Sequence, residues 1–483
     1  MPIRNLQPKL LWKHFDEIRK IPHESGNEAG LREYVLNFAR DNGFEAKTDK
    51  AGNVVVQVPA SAGHESAPAV ILQGHMDMVC EKNSNVEFDF AKDPIQLRMD
   101  GDWLTAKGTT LGADNGIGLA AALAVAEGKD EVHGPLELLC TVDEEVGLTG
   151  AGMLTEGFVT AKRLLNLDSE ELGALYIGCA GGGDSTVTLS VSGVETPGGL
   201  NCLRLKVSGL RGGHSGIDIH EQRGNAIKIL ARILWKATYT TPLFLAGCKG
   251  GNKRNAIPRE AEAVFIAPQD AMAAIHQLLE LEASQIKAEL GGREPELTVE
   301  LIPEAKLPAQ VMDEISQKTL LDLLLAIPHG VEAMSYDIPG LVETSNNLAT
   351  VSADPPTVIV GTSSRSSSAH ALQAVRNRIR AIAELASATV VENEPYPGWK
   401  PNLDSELIAV AKRINQKIFG SEPELKAIHA GLECGIIGEK YPGMDMISFG
   451  PHIEHPHSPE ERVNVPSVDT FYKFLQAMLE ELA

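Results

Sequence analysis

Seven acids and histidines stand where apolar runs of the chain end, or in a loop beside one. His75 and Asp77 close VILQGHMD, Asp114 lies in GTTLGADNG, Glu144 and Glu145 close LELLCTVDEE, Asp168 closes LLNLD, and His457 lies in PHSPEE. Imidazole and carboxylate both suit zinc, and a catalytic zinc keeps one position open for water. Five such ligands and one spare acid are what two zinc ions and a water-activating base require. The chemistry this implies is hydrolysis of an amide bond.

Physical logic distributes the roles. Two ions a few ångströms apart need a shared ligand, and a carboxylate offers two oxygens; Asp114, on a glycine-rich turn, is the natural candidate. Glu144 and Glu145 are neighbours, so their side chains diverge on extended backbone. One of the pair is expected to bind metal while the other takes a proton from water. Asp77 lies two residues beyond His75 on the same side and can accept the imidazole N–H. Each motif alone also has a structural reading, such as a cap, a turn or a solvated loop. What favours the metal reading is that all of them fall at strand ends or adjoining loops.

The elements that must position these residues alternate from the start. Leu11, Phe15 and Ile18, then Leu31, Val35 and Phe38, fall at helical spacing. Short runs rich in branched residues follow (VVVQV, AVILQGH, LELLCTV, RLLNLD), separated by NGIGLAAALAVAEG, a helix apolar nearly all round. This pattern predicts an α/β domain with a mixed, largely parallel sheet covered by helices. Active sites on such sheets gather at the carboxyl ends of the strands.

From Cys179 the composition shifts. Gly and Ser rise in CAGGGDS, alternating segments such as LRLKVSG appear, and amphipathic helices are expected around NAIKILARILWKA, AMAAIHQLLELEASQIKAEL and ALQAVRNRIRAIAELA. These read as an α+β domain inserted into the first. PYPGWKP, from Pro395, has the composition of a linker, after which the chain returns to supply His457. The expected division is a catalytic domain over 1–182 and 393–483 and an inserted domain over 183–392.

Composition bounds the partners. The chain has 483 residues, is 43% hydrophobic and carries a formal charge of −22, which disfavours nucleic acid and anionic membranes. No stretch approaches the roughly 20 apolar residues of a membrane span, and the N-terminus lacks a signal-peptide core. Six cysteines without CxxC or regular spacing suggest free thiols and a cytoplasmic location.

The phrases IPHESGNE, GHMDMVC, GTTLGADNGIG, LLNLDSEE, CAGG, GGHSG, HAGLECG and GPHIEHPHSPEE resemble, over nearly the whole chain, the co-catalytic di-zinc peptidases that include aminoacylase, carnosinase and the bacterial dipeptidases. The resemblance implies one zinc on His75 and Asp168, a second on Glu145 and His457, Asp114 bridging, Glu144 as general base and Asp77 as supporting acid. Cobalt or manganese could replace zinc. It also implies an inserted lid domain that often dimerises. Within that domain His214 (RGGHSG) would stabilise the oxyanion, while Asn255 (GGNKRNAIP) and Arg365 (GTSSRSSS) would hold the substrate carboxylate. Glu433 (HAGLECG) is either the partner of a substrate amine or an ordinary loop acid. The expected substrates are unblocked dipeptides, Xaa-His types such as carnosine among them. Two alternatives remain at this level: an acyl-amino-acid amidase on the same scaffold, and a zinc-dependent binding protein without turnover.

Overall fold

The computed structural model describes residues 3–336 and 338–483. The chain forms two compact units. One comprises the chain up to Cys179 together with Trp399–Ala427 and Leu432–Ala483; the other comprises Ala180–Gly398 and Ile428–Gly431. The changes of unit therefore fall a few residues from the limits expected from sequence, and Ile428–Gly431 joins the second unit as well.

The first unit is built on an eight-stranded mixed sheet, in the order Glu45–Thr48, Val54–Val58, Leu136–Thr141, Val70–His75, Arg163–Asn166, Asp445–Ser448, Ala174–Cys179 and Glu424–Ile428. Its centre is parallel: Val70–His75 runs parallel to both Leu136–Thr141 and Arg163–Asn166, and the latter runs parallel to Asp445–Ser448. Antiparallel pairings lie outside that centre. The central strands are buried along their length, which is why they read as continuous apolar runs rather than alternating ones. Helix Ala113–Glu127 packs against Val70–His75 and is buried on nearly every side, as its run of Ala, Leu, Ile and Val requires. A smaller four-stranded sheet joins Ile453–Glu454, Arg462–Asn464, Trp103–Ala106 and Leu97–Asp100.

Parallel order has a direct consequence for function. His75 ends its strand opposite Thr141, and Gln73 sits opposite Asn166. The residues that follow these strands, including Glu144, Glu145 and Asp168, must therefore emerge at the same edge of the sheet.

The second unit carries a nine-stranded sheet. Its main path runs Thr298–Glu304, Asn201–Ser208, Ala261–Ala267, Phe244–Gly250, Val342–Asp354, Thr357–Ser366, Gly181–Ser190 and Thr389–Glu392, with Gly330–Met334 paired to Val342–Asp354. The recorded pairings are antiparallel. Its strands and helices share one core in which Ile227, Leu230 and Leu234 of helix Ala226–Thr240 meet Val207, Phe265, Leu348 and Val360. Asn225 caps that helix by accepting the N–H groups of Ile227 and Lys228.

The PYPGWKP segment is paired chain rather than a loose linker. Tyr396 exchanges backbone hydrogen bonds with Gly182, and Trp399 does so with Cys179. Glycine is what permits this approach: a Cβ on Gly181 would stand 2.5 Å from the Tyr396 carbonyl oxygen and the Gly398 nitrogen.

All six cysteines are free. Among the described residues no helix is long and apolar enough to cross a membrane. The parallel centre depends on close packing, so Leu138→Ala, at a fully buried position, should lower the stability of the first unit by about 2–5 kcal/mol. An earlier denaturant midpoint, followed by circular dichroism, is the expected reading.

Candidate metal centre

Three strand ends and two loops bring six of the expected side chains together in the first unit. Ligand-type atoms of His75, Asp114 and Asp168 lie within 4.8 Å of one another, as do those of His75, Glu144 and Glu145, and those of Asp114, Glu145 and His457.

Asp114 occupies the middle. Its Oδ1 lies 3.1 Å from His75 Nε2 and its Oδ2 lies 3.1 Å from His457 Nε2, one oxygen facing each imidazole. Asp168 Oδ1 lies 3.3 Å from His75 Nε2, and Glu145 Oε2 lies 3.0 Å from His457 Nε2. Two overlapping sets result, with Asp114 common to both. Backbone conformation places it there. Asp114 and Asn115 are non-helical in the first turn of their helix, and Gly112 just before is left-handed with φ 71°. A Cβ on Gly112 would stand 2.9 Å from the Met78 sulfur. His457 is also left-handed, at φ 60°.

The donor set fits a cation. The nearest acceptor of His75 Nδ1 is the Asp77 carbonyl oxygen at 2.9 Å, so the ring proton belongs on Nδ1. Nε2 then presents a lone pair to the carboxylates of Asp114 and Asp168, which only a proton or a metal ion between them makes favourable. Glu145 Oε1 and Asp168 Oδ1 are buried and make no hydrogen bond. Burial, with the nearby Asp114 carboxylate adding, pushes the Asp168 carboxyl up to about 7 against the opposing pull of His75. Burial likewise holds the Glu144 carboxyl well above the usual range; His75 opposes this, and Asp168, Glu433 and Glu145 add to it. The pocket thus gathers more negative charge than two imidazoles balance, which is the electrostatic signature of a divalent cation site.

Asp77 has a larger part than its spacing suggested. Its carboxylate lies 3.4 Å from His75 Nδ1 but accepts the backbone N–H of Glu144 through Oδ1 at 3.0 Å and that of Glu145 through Oδ2 at 3.1 Å. Ser25 Oγ donates to Oδ2 at 2.7 Å. Burial alone would raise this carboxyl, but His75, Ser25 and the Glu144 N–H outweigh it and hold it at about 2. Beside this turn, Glu28 accepts the Asp143 N–H. Ser25 and Glu28 belong to IPHESGNE, whose part in the site nothing in its spacing disclosed.

Glu433 is no solvated loop acid. It begins helix Glu433–Lys440, is fully buried, and its Oε2 accepts from Gln73 Nε2 at 2.6 Å and Thr141 Oγ1 at 2.7 Å. Burial pushes its carboxyl up to about 7, and Oε1 has no hydrogen-bond partner. Gln73 continues the network by accepting from Asn166, which accepts from Ser448. These three residues are register neighbours on three parallel strands.

In the second unit His214 and Asn255 lie on adjoining segments, since His214 bridges to Ala256 and Ser215 N donates to the Asn255 carbonyl oxygen at 2.8 Å. The His214 Nδ1 accepts N–H groups of Gly216 and Ile217 at 3.2 and 3.0 Å, which leaves the ring proton on Nε2. Burial, then the Arg365 charge, lower its pKa, so the ring is a neutral donor. Arg365, on strand Thr357–Ser366, is buried and donates from Nη1 to Tyr396 at 2.8 Å, while its Nε is unpartnered. Asn255 is exposed. His429, the first residue of HAGLECG and without a signal in its spacing, is buried in this unit 2.7 Å from Ser345 Oγ; burial and then the Arg365 charge lower its pKa to about 3.

Known proteins share this chain's sequence and fold. The model of peptidase family M20/M25/M40 matches residues 71–481. The chain is 40% identical over 480 residues to the cytosol non-specific dipeptidase of Escherichia coli strain K12, covering 99% of each. Among solved structures it is similar to aminoacylhistidine dipeptidase from Vibrio alginolyticus, at 42% identity and a TM-score of 0.93, covering 100% of this chain and 98% of that one. Aminopeptidase PepT from Bacillus cereus shares the fold at 17% identity and a TM-score of 0.56, covering 99% of each chain.

Because the Asp77 carboxylate accepts from two successive N–H groups, Asp77→Asn would turn an amide NH2 toward one of them. Turnover should fall by about 10–100-fold while the far-ultraviolet circular dichroism is kept. Wild-type turnover in this variant would show that the turn at Glu144 and Glu145 does not depend on the carboxylate.

Proposed function

The chain belongs to the M20/M25/M40 peptidase family, and from that premise we propose that it hydrolyses the peptide bond of unblocked dipeptides, with two zinc ions as cofactors. The observation that carries the reading is the position of Asp114, one carboxylate oxygen 3.1 Å from each of two imidazoles. His75 and Asp168 would hold one ion, Glu145 and His457 the other, and Asp114 both. When bound, the ions would polarise the scissile carbonyl and make water acidic enough to attack near neutral pH.

The chain's own residues supply the remainder. Glu144 takes the proton from the attacking water and returns it to the leaving amine. Asp77 holds the turn that presents Glu144 and Glu145. His214, with its proton on Nε2, donates to the oxygen on which charge develops. Arg365 pairs with the substrate carboxylate through its planar guanidinium, with Asn255 as a further donor. Glu433, an acid with one unpartnered oxygen, is assigned to the substrate's free amine. Recognition of both termini selects two residues and one scissile bond. The names of the similar proteins, a non-specific dipeptidase and an aminoacylhistidine dipeptidase, support dipeptides as substrates and Xaa-His types such as carnosine among them. Free cysteines and the cytosolic description of one relative support a cytoplasmic location.

Metal analysis of the wild type under saturating zinc should give two ions per chain, and chelation should abolish activity until zinc or cobalt is restored. Glu144→Gln should keep both ions and lower the turnover number by about 10²–10⁴-fold, because an amide cannot accept the proton. Glu145→Gln should instead weaken one ion. Near-full turnover in Glu144→Gln, or loss of an ion from it, would reverse the assignment of the pair.

A substrate panel tests the two-terminus reading. C-terminal amidation, N-acetylation or a third residue should each reduce kcat/KM sharply. Arg365→Ala should lose most of the preference for a free carboxylate over its amide. Comparable rates on dipeptides, tripeptides and longer peptides would point to a general aminopeptidase instead.

A further inference from the structure

Glu461 is 2% exposed and receives four successive backbone N–H groups. Its Oε2 accepts from Leu111 at 2.7 Å and Gly112 at 3.1 Å; its Oε1 accepts from Ala113 at 2.8 Å and Asp114 at 3.3 Å. These donors lead into helix Ala113–Glu127 and include the N–H of Asp114 itself. Glu461 also belongs to the segment that carries His457. Its own N–H donates to the Ser458 carbonyl oxygen at 3.0 Å, and the next residues, Arg462–Asn464, pair with Trp103–Ala106. Thr105 Oγ1 adds a bond to the Glu461 carbonyl oxygen at 2.9 Å. One side chain thus ties together two loops more than 300 residues apart in sequence.

We propose that Glu461 is a positioning residue for the metal centre, holding the loop of Asp114 at a fixed distance from the loop of His457. This rests on the two-ion reading above. A cap alone does not explain the choice of residue, because a carboxylate here is repelled by that of Asp114. What a carboxylate provides is two acceptor oxygens, enough for all four donors. Glutamine has one acceptor oxygen, and its NH2 would face N–H groups. The ion held by His457 and Glu145 should therefore depend on Glu461 most, since its imidazole and its shared carboxylate come from the two loops that Glu461 joins.

The test is a titration of metal-free protein with zinc against a competing chelator, reading stoichiometry and both affinities. Wild type should take up two ions. Glu461→Gln should bind the more affected ion about 10–100-fold more weakly and the other nearly as wild type, and Glu461→Asp should recover part of the loss. Raising free zinc should restore turnover in Glu461→Gln, while the metal-free variant should keep the denaturant midpoint of the metal-free wild type, which a merely unstable protein would not. Two ions in the wild type, bound equally well by Glu461→Gln, overturn this inference alone. One ion in the wild type overturns the two-ion reading and the inference with it. Amide exchange in the metal-free wild type needs no variant: the N–H groups of Leu111, Gly112, Ala113 and Asp114 should be protected together, and exchange at the rate of an exposed loop would overturn the proposal.

Discussion

The first unit is organised around a crowd of carboxylates that are buried or half-buried together. Asp77, Asp114, Glu144, Glu145 and Asp168 converge at the edge of a buried parallel sheet with two imidazoles for company. Buried charge of one sign is costly unless it is paired or neutralised. Part of the cost shows in carboxyls that burial raises, those of Asp168 and Glu144. The remainder leaves oxygens without partners and an imidazole lone pair facing acids. A divalent cation removes all three difficulties at once, so the demand for metal is written into the electrostatics of the protein alone.

Such a crowd has to be held open against its own repulsion, and the backbone does much of that holding. Asp77 accepts the N–H groups of Glu144 and Glu145; Glu461 accepts those of Leu111 to Asp114. In each case an acid that faces the cluster is anchored by amides belonging to another part of it. Beneath them, Gln73, Asn166 and Ser448 link neighbouring strands side chain to side chain and extend to Glu433. Polar networks that run from strand to strand in this way favour one geometry, because each bond lost would leave a buried group unpaired.

The second unit shows a different economy of groups. Its sheet is antiparallel and its helices bury one apolar core, while a small polar set (His214, Arg365, His429 and Ser345) is kept apart from that core. Arg365 is the dominant charge there. It depresses both histidines and so keeps them neutral, after burial has already moved them in that direction. A neutral imidazole with its tautomer fixed, as in His214, is a donor of defined direction.

Much of the first unit is legible in residue order. Continuous apolar runs ending in His75, Glu144 and Asp168 announce buried parallel strands, because a strand covered on both faces has no polar side to alternate with. Acid and imidazole at those ends announce metal chemistry, because side-chain type fixes ligand type. The low aqueous charge tolerance of the Ala113–Glu127 helix is equally plain in its composition. What residue order could not contain is register across strands distant in sequence. That Gln73 meets Asn166, and Asn166 meets Ser448, depends on how Arg163–Asn166 slides between Val70–His75 and Asp445–Ser448. That Asp77 turns its carboxylate to the amides of Glu144 and Glu145, and Glu461 to those of Leu111 through Asp114, depends on backbone directions at left-handed and non-helical residues such as Gly112 and Asp114. A spacing of two residues is enough to suggest that Asp77 serves His75; only the folded chain decides which hydrogen bond the carboxylate makes, because the donors that compete for it come from another strand.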